Sequence, residues 1–225
     1  MYWKIPKIWQ DSRCIILGGG PSLASQFDVP AKLVSDIRAN VKSISDMSEY
    51  MGSIQNEHII AVNQSFRFGN WVDCLFFGDH GFWEKNKEDI LNFNGIKTTS
   101  VEIPNIFRRR VKVIPRYPNK KVGISPSPNA IVWNRNSGAA AISLAVHFGV
   151  KQIILLGFDM NLDAGHQHWH GLYGKNKNPI GTFKMHLRAF PAIAEDAKKF
   201  GVEILNASPM SRIGDFRKGT LKEFL

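Results

Sequence analysis

Residues Cys14-Ile15-Ile16-Leu17, running directly into Gly18-Gly19-Gly20-Pro21-Ser22-Leu23, constrain this chain more than any other stretch. Four apolar residues in a row suit a strand covered on both faces, and glycines allow main chain to approach where a side chain would block it. Pro21 fits the first turn of a helix, where the amide hydrogen it lacks is not needed. Strand, glycine turn and helix start form the opening step of a nucleotide-binding α/β domain. The spacing is not Gly-x-Gly-x-x-Gly, because Leu23 stands where the third glycine would be, and no Gly-Lys-Ser/Thr follows, which excludes a P-loop. The same pattern also serves a tight β-turn-α corner that holds no ligand.

Further apolar runs each end in polar residues. His58-Ile59-Ile60-Ala61-Val62 leads into Asn63-Gln64-Ser65, and Asp73-Cys74-Leu75-Phe76-Phe77 into Gly78-Asp79-His80. Gln152-Ile153-Ile154-Leu155-Leu156 leads into Gly157-Phe158-Asp159, and Val202-Glu203-Ile204-Leu205-Asn206 into Ala207-Ser208-Pro209, with a basic, loop-like tail after it. Between them, residues 31–38 and 82–91 have helical spacing, residues 43–57 are weakly patterned, and residues 96–101 read as a fourth strand. Asn136-Ser137-Gly138 caps an Ala-rich helix that stops at Gly149. Residues 182–200 carry one apolar helical face that Pro191 is expected to bend. Alternating strands and helices predict an α/β fold, a doubly wound, mostly parallel Rossmann-like sheet with helices on both faces. The 225 residues fit one such domain. Ligands bind beyond the carboxyl ends of the strands in these sheets, where the five polar clusters sit.

Charge is concentrated. Residues 103–158 contain no Asp or Glu but carry nine of the cations behind the net +10: Arg108, Arg109, Arg110, Lys112, Arg116, Lys120, Lys121, Arg135 and Lys151. Five prolines, at 104, 115, 118, 126 and 128, argue against long regular elements there, so residues 103–135 read as a basic, Pro-rich loop or lid with one strand near residues 111–114. An anion-binding face follows, for a nucleotide, an acidic or polyanionic glycan, or DNA or RNA; a solvated basic loop is the alternative. Cys14 and Cys74 lie inside apolar strands and read as buried thiols of a reducing compartment. No stretch has the length of a membrane span or the core of a signal peptide, and the expectation is a soluble cytoplasmic protein of unspecified oligomeric state.

The chemistry expected at the rim follows from these residue types. Amides of the glycine turn and of the helix opening at Ser137-Gly138 suit phosphate oxygens, with hydroxyls from Ser22 and Ser137. Asn63 offers a donor and an acceptor to a base or ribose, or caps its own turn. Asp159 suits a ribose hydroxyl, a histidine or a metal, or ties down a loop, and Asp79 has the same choices. His166, His168 and His170 share one face if extended. Such a triplet supplies a general base, or two or three ligands for a divalent metal, though the spacing matches no established zinc motif, or forms a plain loop.

Taken in order, Gly18-Gly19-Gly20-Pro21-Ser22-Leu23, Asn63-Gln64, Asn136-Ser137-Gly138, Gly157-Phe158-Asp159 and Asn206-Ala207-Ser208-Pro209 resemble the motif series of bacterial sialyltransferases that use CMP-sialic acid. The series is also similar to that of flagellin-modifying glycosyltransferases, of archaeal 6-hydroxymethylpterin pyrophosphokinase-like proteins and of short phage-encoded relatives. The resemblance implies a glycosyltransferase with a nucleotide-sugar co-substrate, a CMP-sugar in the first place, and no tightly bound cofactor. It places the nucleotide on Gly18, Gly19, Gly20, Pro21, Ser22, Asn63, Ser137 and Gly138, and the rim chemistry adds Gln64, Asp79, Asn136 and Ser208. It places catalysis on the histidine triplet, His170 first for its nearness to the following helix, with Asp159. The sialyltransferases carry a tyrosine after Gly-x-Asp that supports the phosphate leaving group; this chain has Met160-Asn161. Two alternatives accompany this reading: pyrophosphoryl transfer from ATP with magnesium held through Asp79 or Asp159, and a non-catalytic nucleotide- or nucleic-acid-binding module.

Overall fold

The apolar runs pair side by side in one direction. In the computed structural model, which describes residues 1–173 and 177–225, eight strands form one sheet: β1 (Arg13–Leu17), β2 (His58–Val62), β3 (Cys74–Phe77), β4 (Ile96–Thr99), β5 (Lys112–Val113), β6 (Gln152–Leu156), β7 (Glu203–Asn206) and β8 (Arg217–Lys218). Their order is β5-β4-β3-β2-β1-β6-β7-β8, and every pairing is parallel. The expected α/β Rossmann-like fold is therefore present, and wholly rather than mostly parallel. The tail expected to be loop-like instead extends the sheet beyond β7: it returns as β8, whose Arg217 and Lys218 register with Leu205 and Asn206.

Period-two alternation divides the strands between two cores. Ile15, Leu17, Ile59, Ala61, Leu75 and Phe77 face one side, under α1 (Ser22–Ser25), α2 (Ala31–Arg38) and α3 (His80–Asn92). Cys14, Ile16, Ile60, Cys74, Phe76 and Ile153 face the other, under α4 (Ser137–Phe148) and α6 (Phe190–Lys199). Both cysteines are free and fully buried, and burial pushes the Cys74 thiol up to about 12. Every residue of α4 is buried, as its Ala-rich composition allows; Asn136 caps it and Gly149 ends it at φ 97°. The helix expected to bend at Pro191 is broken instead: α5 (Pro179–Leu187) stops before α6 begins at Phe190. Proline removes the amide that would bond to the carbonyl four residues back and crowds that carbonyl, here Leu187, so the chain restarts with Pro191 in the first turn. Residues 43–57 hold a 3-10 run, Ile44–Ile54, opened by a Ser43 capping box and anchored through Ile44, Met47, Met51 and Ile54. The sequence predicts a loop over residues 160–179, of which 174–176 lie outside the described residues.

Residues 103–135 are tied to the body at many points. Ile103, Val111, Ile114, Ile124 and Ile131 are buried, and Arg116 bridges Ile131. Asp196 of α6 accepts from Lys120, from the Ile124 amide at 2.8 Å and from Lys199 at 3.1 Å. Burial alone would raise the Asp196 carboxyl; these hydrogen bonds and the Lys120 charge outweigh it and hold the group below its usual range. Three of the nine cations of the acid-free segment meet carboxylates from outside it: Arg108 with Glu102, Lys120 with Asp196, and Lys151 with Asp11 at 3.7 Å. Among the described residues no helix is long and apolar enough to cross a membrane.

The centre of the sheet is joined by main chain touching main chain. Gly18 N donates to Leu156 O at 2.7 Å and Gly20 N to Gly157 O at 2.8 Å. A Cβ on Gly20 would lie 2.6 Å from Gly157 O and 2.5 Å from Asp159 Oδ2. Overpacking of this kind costs about 1–3 kcal/mol. Gly20→Ala is therefore expected to lower the unfolding free energy measured in urea by a matching amount, and with it the midpoint; an unchanged midpoint would show that the two loops are not held together there.

Candidate functional site

The carboxyl ends of β2 and β3 open into a cleft of about 530 Å³. Asn63, Gln64, Arg67 and Asp79 line it from the strand ends, Phe82, Lys85 and Asn86 from α3, and Gln167, His168 and Tyr173 from the loop after β6, with His186 from α5.

One wall is a fixed polar network. Arg67 Nε donates to Gln64 Oε1 at 2.7 Å, and Arg67 Nη2 reaches Asn86 Oδ1 at 3.0 Å and Asp89 Oδ2 at 2.6 Å. Gln64 Nε2 donates to Asn86 Oδ1 at 3.1 Å. Gln64 and Arg67 lie three residues apart in the 3-10 turn Asn63–Phe68, a spacing that puts their side chains in line. Asn63 enters that turn in the left-handed region, φ 53°, and among the described residues its buried Oδ1 has no hydrogen-bond partner. Asn63 is thus held with an acceptor to spare, the condition for reading a ligand donor.

The opposite wall carries the histidines. His168 Nδ1 lies 3.2 Å from Gly19 O. A carbonyl only accepts, so Nδ1 carries the proton and Nε2 keeps its lone pair. Burial lowers the His168 pKa; the Gly19 bond opposes this and nearby His186 adds to it. Burial also lowers His186, with Asp79 acting the other way. Both rings are neutral bases at pH 7. His170 does not line the cleft: it is buried behind His168, ring centroids 5.3 Å apart and interplanar angle 4°, and its Nδ1 accepts from Leu172 N at 3.3 Å. Burial pushes its pKa down to about 3, helped by repulsion from His168 whenever that ring is protonated and by the charges of Arg67 and Arg38. Tyr173 packs edge-on against both imidazoles. Although 36% of Tyr173 is exposed, its phenol turns inward, and burial raises its pKa against opposing hydrogen bonds from the Gln64 backbone and the Asn63 side chain. His166 is exposed and exchanges backbone hydrogen bonds with Asp163.

The remaining sequence-derived positions serve the fold directly. Asp159 accepts from Ser22 N at 2.8 Å and from Ser22 Oγ, which also meets Ser208 Oγ at 2.9 Å. Of the glycine-turn amides, those of Gly18, Gly20 and Ser22 are bonded within the protein; Pro21 has none. Gly18 O accepts from Ser65 Oγ at 3.0 Å and from Trp169 Nε1 at 3.2 Å, so the turn seats the segment that carries His168. Asn136 Oδ1 takes the amides of Gly138 and Ala139 at 2.8 and 3.2 Å, and the Phe158 ring closes on Gly138. Ser137 Oγ points to Asp79 Oδ2 at 3.4 Å, linking the start of α4 to the cleft. Sequence reasoning missed Arg67, Lys85, Tyr173 and His186. The three-residue step from Gln64 was a usable signal for Arg67, whereas Lys85 and His186 stand on helices whose rotation only packing sets.

The donor set does not suit magnesium, which takes oxygen ligands in a near-octahedral array. Asp159 is committed to Ser22, and Asp79 is the single carboxylate among the described residues lining the cleft.

No protein-family model matches the chain, and no curated protein matches it significantly. Solved structures do. The sialyltransferase CstII from Campylobacter jejuni, in complex with the substrate analogue cytidine-5'-monophosphate, superposes with TM-score 0.52 at 15% identity over 93% of this chain and 85% of that one. The sialyltransferase CST-II with trisaccharide acceptor and CMP gives TM-score 0.50 at 15% identity, over 91% and 84%. At this identity the likeness is one of fold, and these fold neighbours are sialyltransferases, the group that the motif series resembles.

Both cleft histidines are expected to titrate below their ordinary 6.5. Between the lowered values and 6.5 the unfolded chain binds more protons than the native one, so their contribution to stability is complete above 6.5 and lost as pH falls. Long-range ¹H–¹⁵N spectra at pH 7 check the state directly: His168 is expected as the neutral Nδ1–H tautomer, and an imidazolium there would contradict the assignment.

Proposed function

We propose that this protein is a glycosyltransferase that moves a sugar from a CMP-sugar donor to a hydroxyl of a glycan acceptor. The observation that carries this reading is His168, which lines the cleft with Nδ1 engaged by Gly19 O and Nε2 left as a base. Support from the fold is that both neighbours were solved with CMP, one of them with a trisaccharide acceptor as well.

The acceptor oxygen forms its bond to the anomeric carbon as the bond from that carbon to the phosphate oxygen breaks. The hydroxyl proton passes to His168 Nε2, and CMP departs with the bonding electron pair. Proton transfer to a placed imidazole contributes roughly 10²–10⁴-fold. The cations that meet the departing phosphate are Arg67 and Lys85, both in the cleft wall, and the Tyr173 phenol, kept protonated by burial, donates to it. Tyr173 thus supplies the phenol that Met160-Asn161 lacks after Gly-Phe-Asp. Asn63 reads the nucleotide with its spare acceptor. His186, backed by Asp79, is the second imidazole of the cleft and positions the acceptor.

The test is release of CMP from CMP-sugars, with and without oligosaccharide acceptors. His168→Asn is expected to lower kcat by about 10²–10⁴-fold with little change in donor KM, and Tyr173→Phe to lower kcat more modestly. Full turnover by His168→Asn would remove the base from the mechanism, and ATP turnover that depends on magnesium would replace sugar transfer by pyrophosphoryl transfer.

A further inference from the structure

A second cavity, of about 480 Å³, lies at the other end of the sheet. Its place follows from the chain: Val150 and Lys151 immediately precede β6, Val202 immediately precedes β7, and Val146 and His147 belong to the last turn of α4, whose first turn is at the rim. Residues 4–7 and Gln10 of the N-terminal arm close one side, pinned by Ile5 N to Pro128 O at 3.0 Å and Trp9 N to Phe148 O at 2.9 Å.

The lining has three chemical parts. Ile5, Val146, Val150, Val202 and Phe200 are apolar. Lys4, Lys7 and Lys151 are cationic, and no carboxylate joins them among the described lining residues. Lys151 also pairs with the exposed Asp11 at 3.7 Å, a contact that solvent screens and a ligand can replace. The third part is His147, 6% exposed. Among the described residues its buried Nε2 has no hydrogen-bond partner, and the Ser125 backbone acts on the ring in favour of its charged form. Burial pushes the pKa of His147 down to about 4, so the ring is neutral at neutral pH, and Nε2 is the free acceptor in its Nδ1–H tautomer. Phe200 stands edge-on to the imidazole at 5.9 Å and is 37% exposed, the ring against which a ligand would slide to reach Nε2. Buried acceptors are nearly always satisfied in native proteins, so an orphan in a cavity wall points to a missing donor.

We propose that this cavity is a second binding site, for a small amphipathic anion. The ligand carries an O–H or N–H that donates to His147 Nε2, an apolar ring or short chain against Phe200 and Val150, and a carboxylate or phosphate held by Lys4, Lys7 and Lys151. The site is separate from the rim cleft and does not depend on sugar transfer.

The probes are 4-hydroxybenzoate, which has all three features, benzoate, which lacks the donor, and 4-hydroxybenzyl alcohol, which lacks the charge. ¹⁵N-labelled full-length protein is titrated with each to millimolar concentration. 4-Hydroxybenzoate is expected to shift the resonances of residues 146–151 and of Phe200 saturably, and to bind about tenfold more tightly than either analogue. Lys7→Glu with Lys151→Glu, both surface changes, is expected to weaken 4-hydroxybenzoate about tenfold and leave the alcohol unchanged. His147→Phe is expected to erase the preference over benzoate; if that variant does not fold, the probe series and the lysine variant still decide. Equal binding of the three probes, shifts confined to the rim cleft, or no saturable shift would overturn the proposal.

Discussion

The structure depends on one close approach. The glycine turn after β1 lies directly on the main chain after β6, with Gly18 and Gly20 donating to Leu156 O and Gly157 O. Side chains would hold these two loops apart, as the space around Gly18 and Gly20 shows. Everything at the rim is built on that contact. Asp159 reaches Ser22 because the loops touch, and the segment that follows Asp159 returns over the turn to place Trp169 N on Gly19 O at 3.2 Å. The strand order reverses between β1 and β6, where open α/β sheets form their crevice. Here main-chain contacts fill the seam itself, and the cleft opens beside it over β2 and β3.

Burial then sets the chemistry of that cleft. Three imidazoles lie in or behind its wall, and desolvation lowers the pKa of each. A protonated pair of stacked rings at 5.3 Å would repel in such surroundings, so His170 serves as a neutral platform under His168. Burial raises Tyr173 instead and keeps its proton in place. The same physical cause thus prepares a base and a hydrogen-bond donor within one cleft. Positive charge enters through Arg67 and Lys85 rather than through the acid-free segment, where Lys120 clasps Asp196 and Arg116 donates to Gly78 O at 2.9 Å beneath Trp133.

The parallel sheet was legible in the sequence because buried strands write themselves as apolar runs, and each run found here ends in polar residues at the same rim. The α4 cap was equally legible: Asn136 and Gly149 do what their residue types favour at helix ends. β8 was not, since two residues carry no period. The break between α5 and α6 lay within reach of Pro191, but one apolar face running through residues 183–197 masked it. At the site, residue type pointed to the rim beside which the cleft opens without separating side chains that face the cleft from those that close the fold. Asp159, Ser22 and Ser208 satisfy one another, whereas Asn63, Asp79 and His168 face outward. That division depends on how two loops cross, which spacing along one chain does not encode. Tyr173 and His186 were missed for the same reason.

The most direct test of the account follows the imidazole nitrogens of selectively ¹⁵N-histidine-labelled protein while CMP is added without metal. The account predicts saturable shifts at His168 and His186, with His147 at the far end of the sheet unmoved. Shifts at His147 alone, or none at His168 and His186 under saturating CMP, would contradict a nucleotide site at the carboxyl ends of β2 and β3.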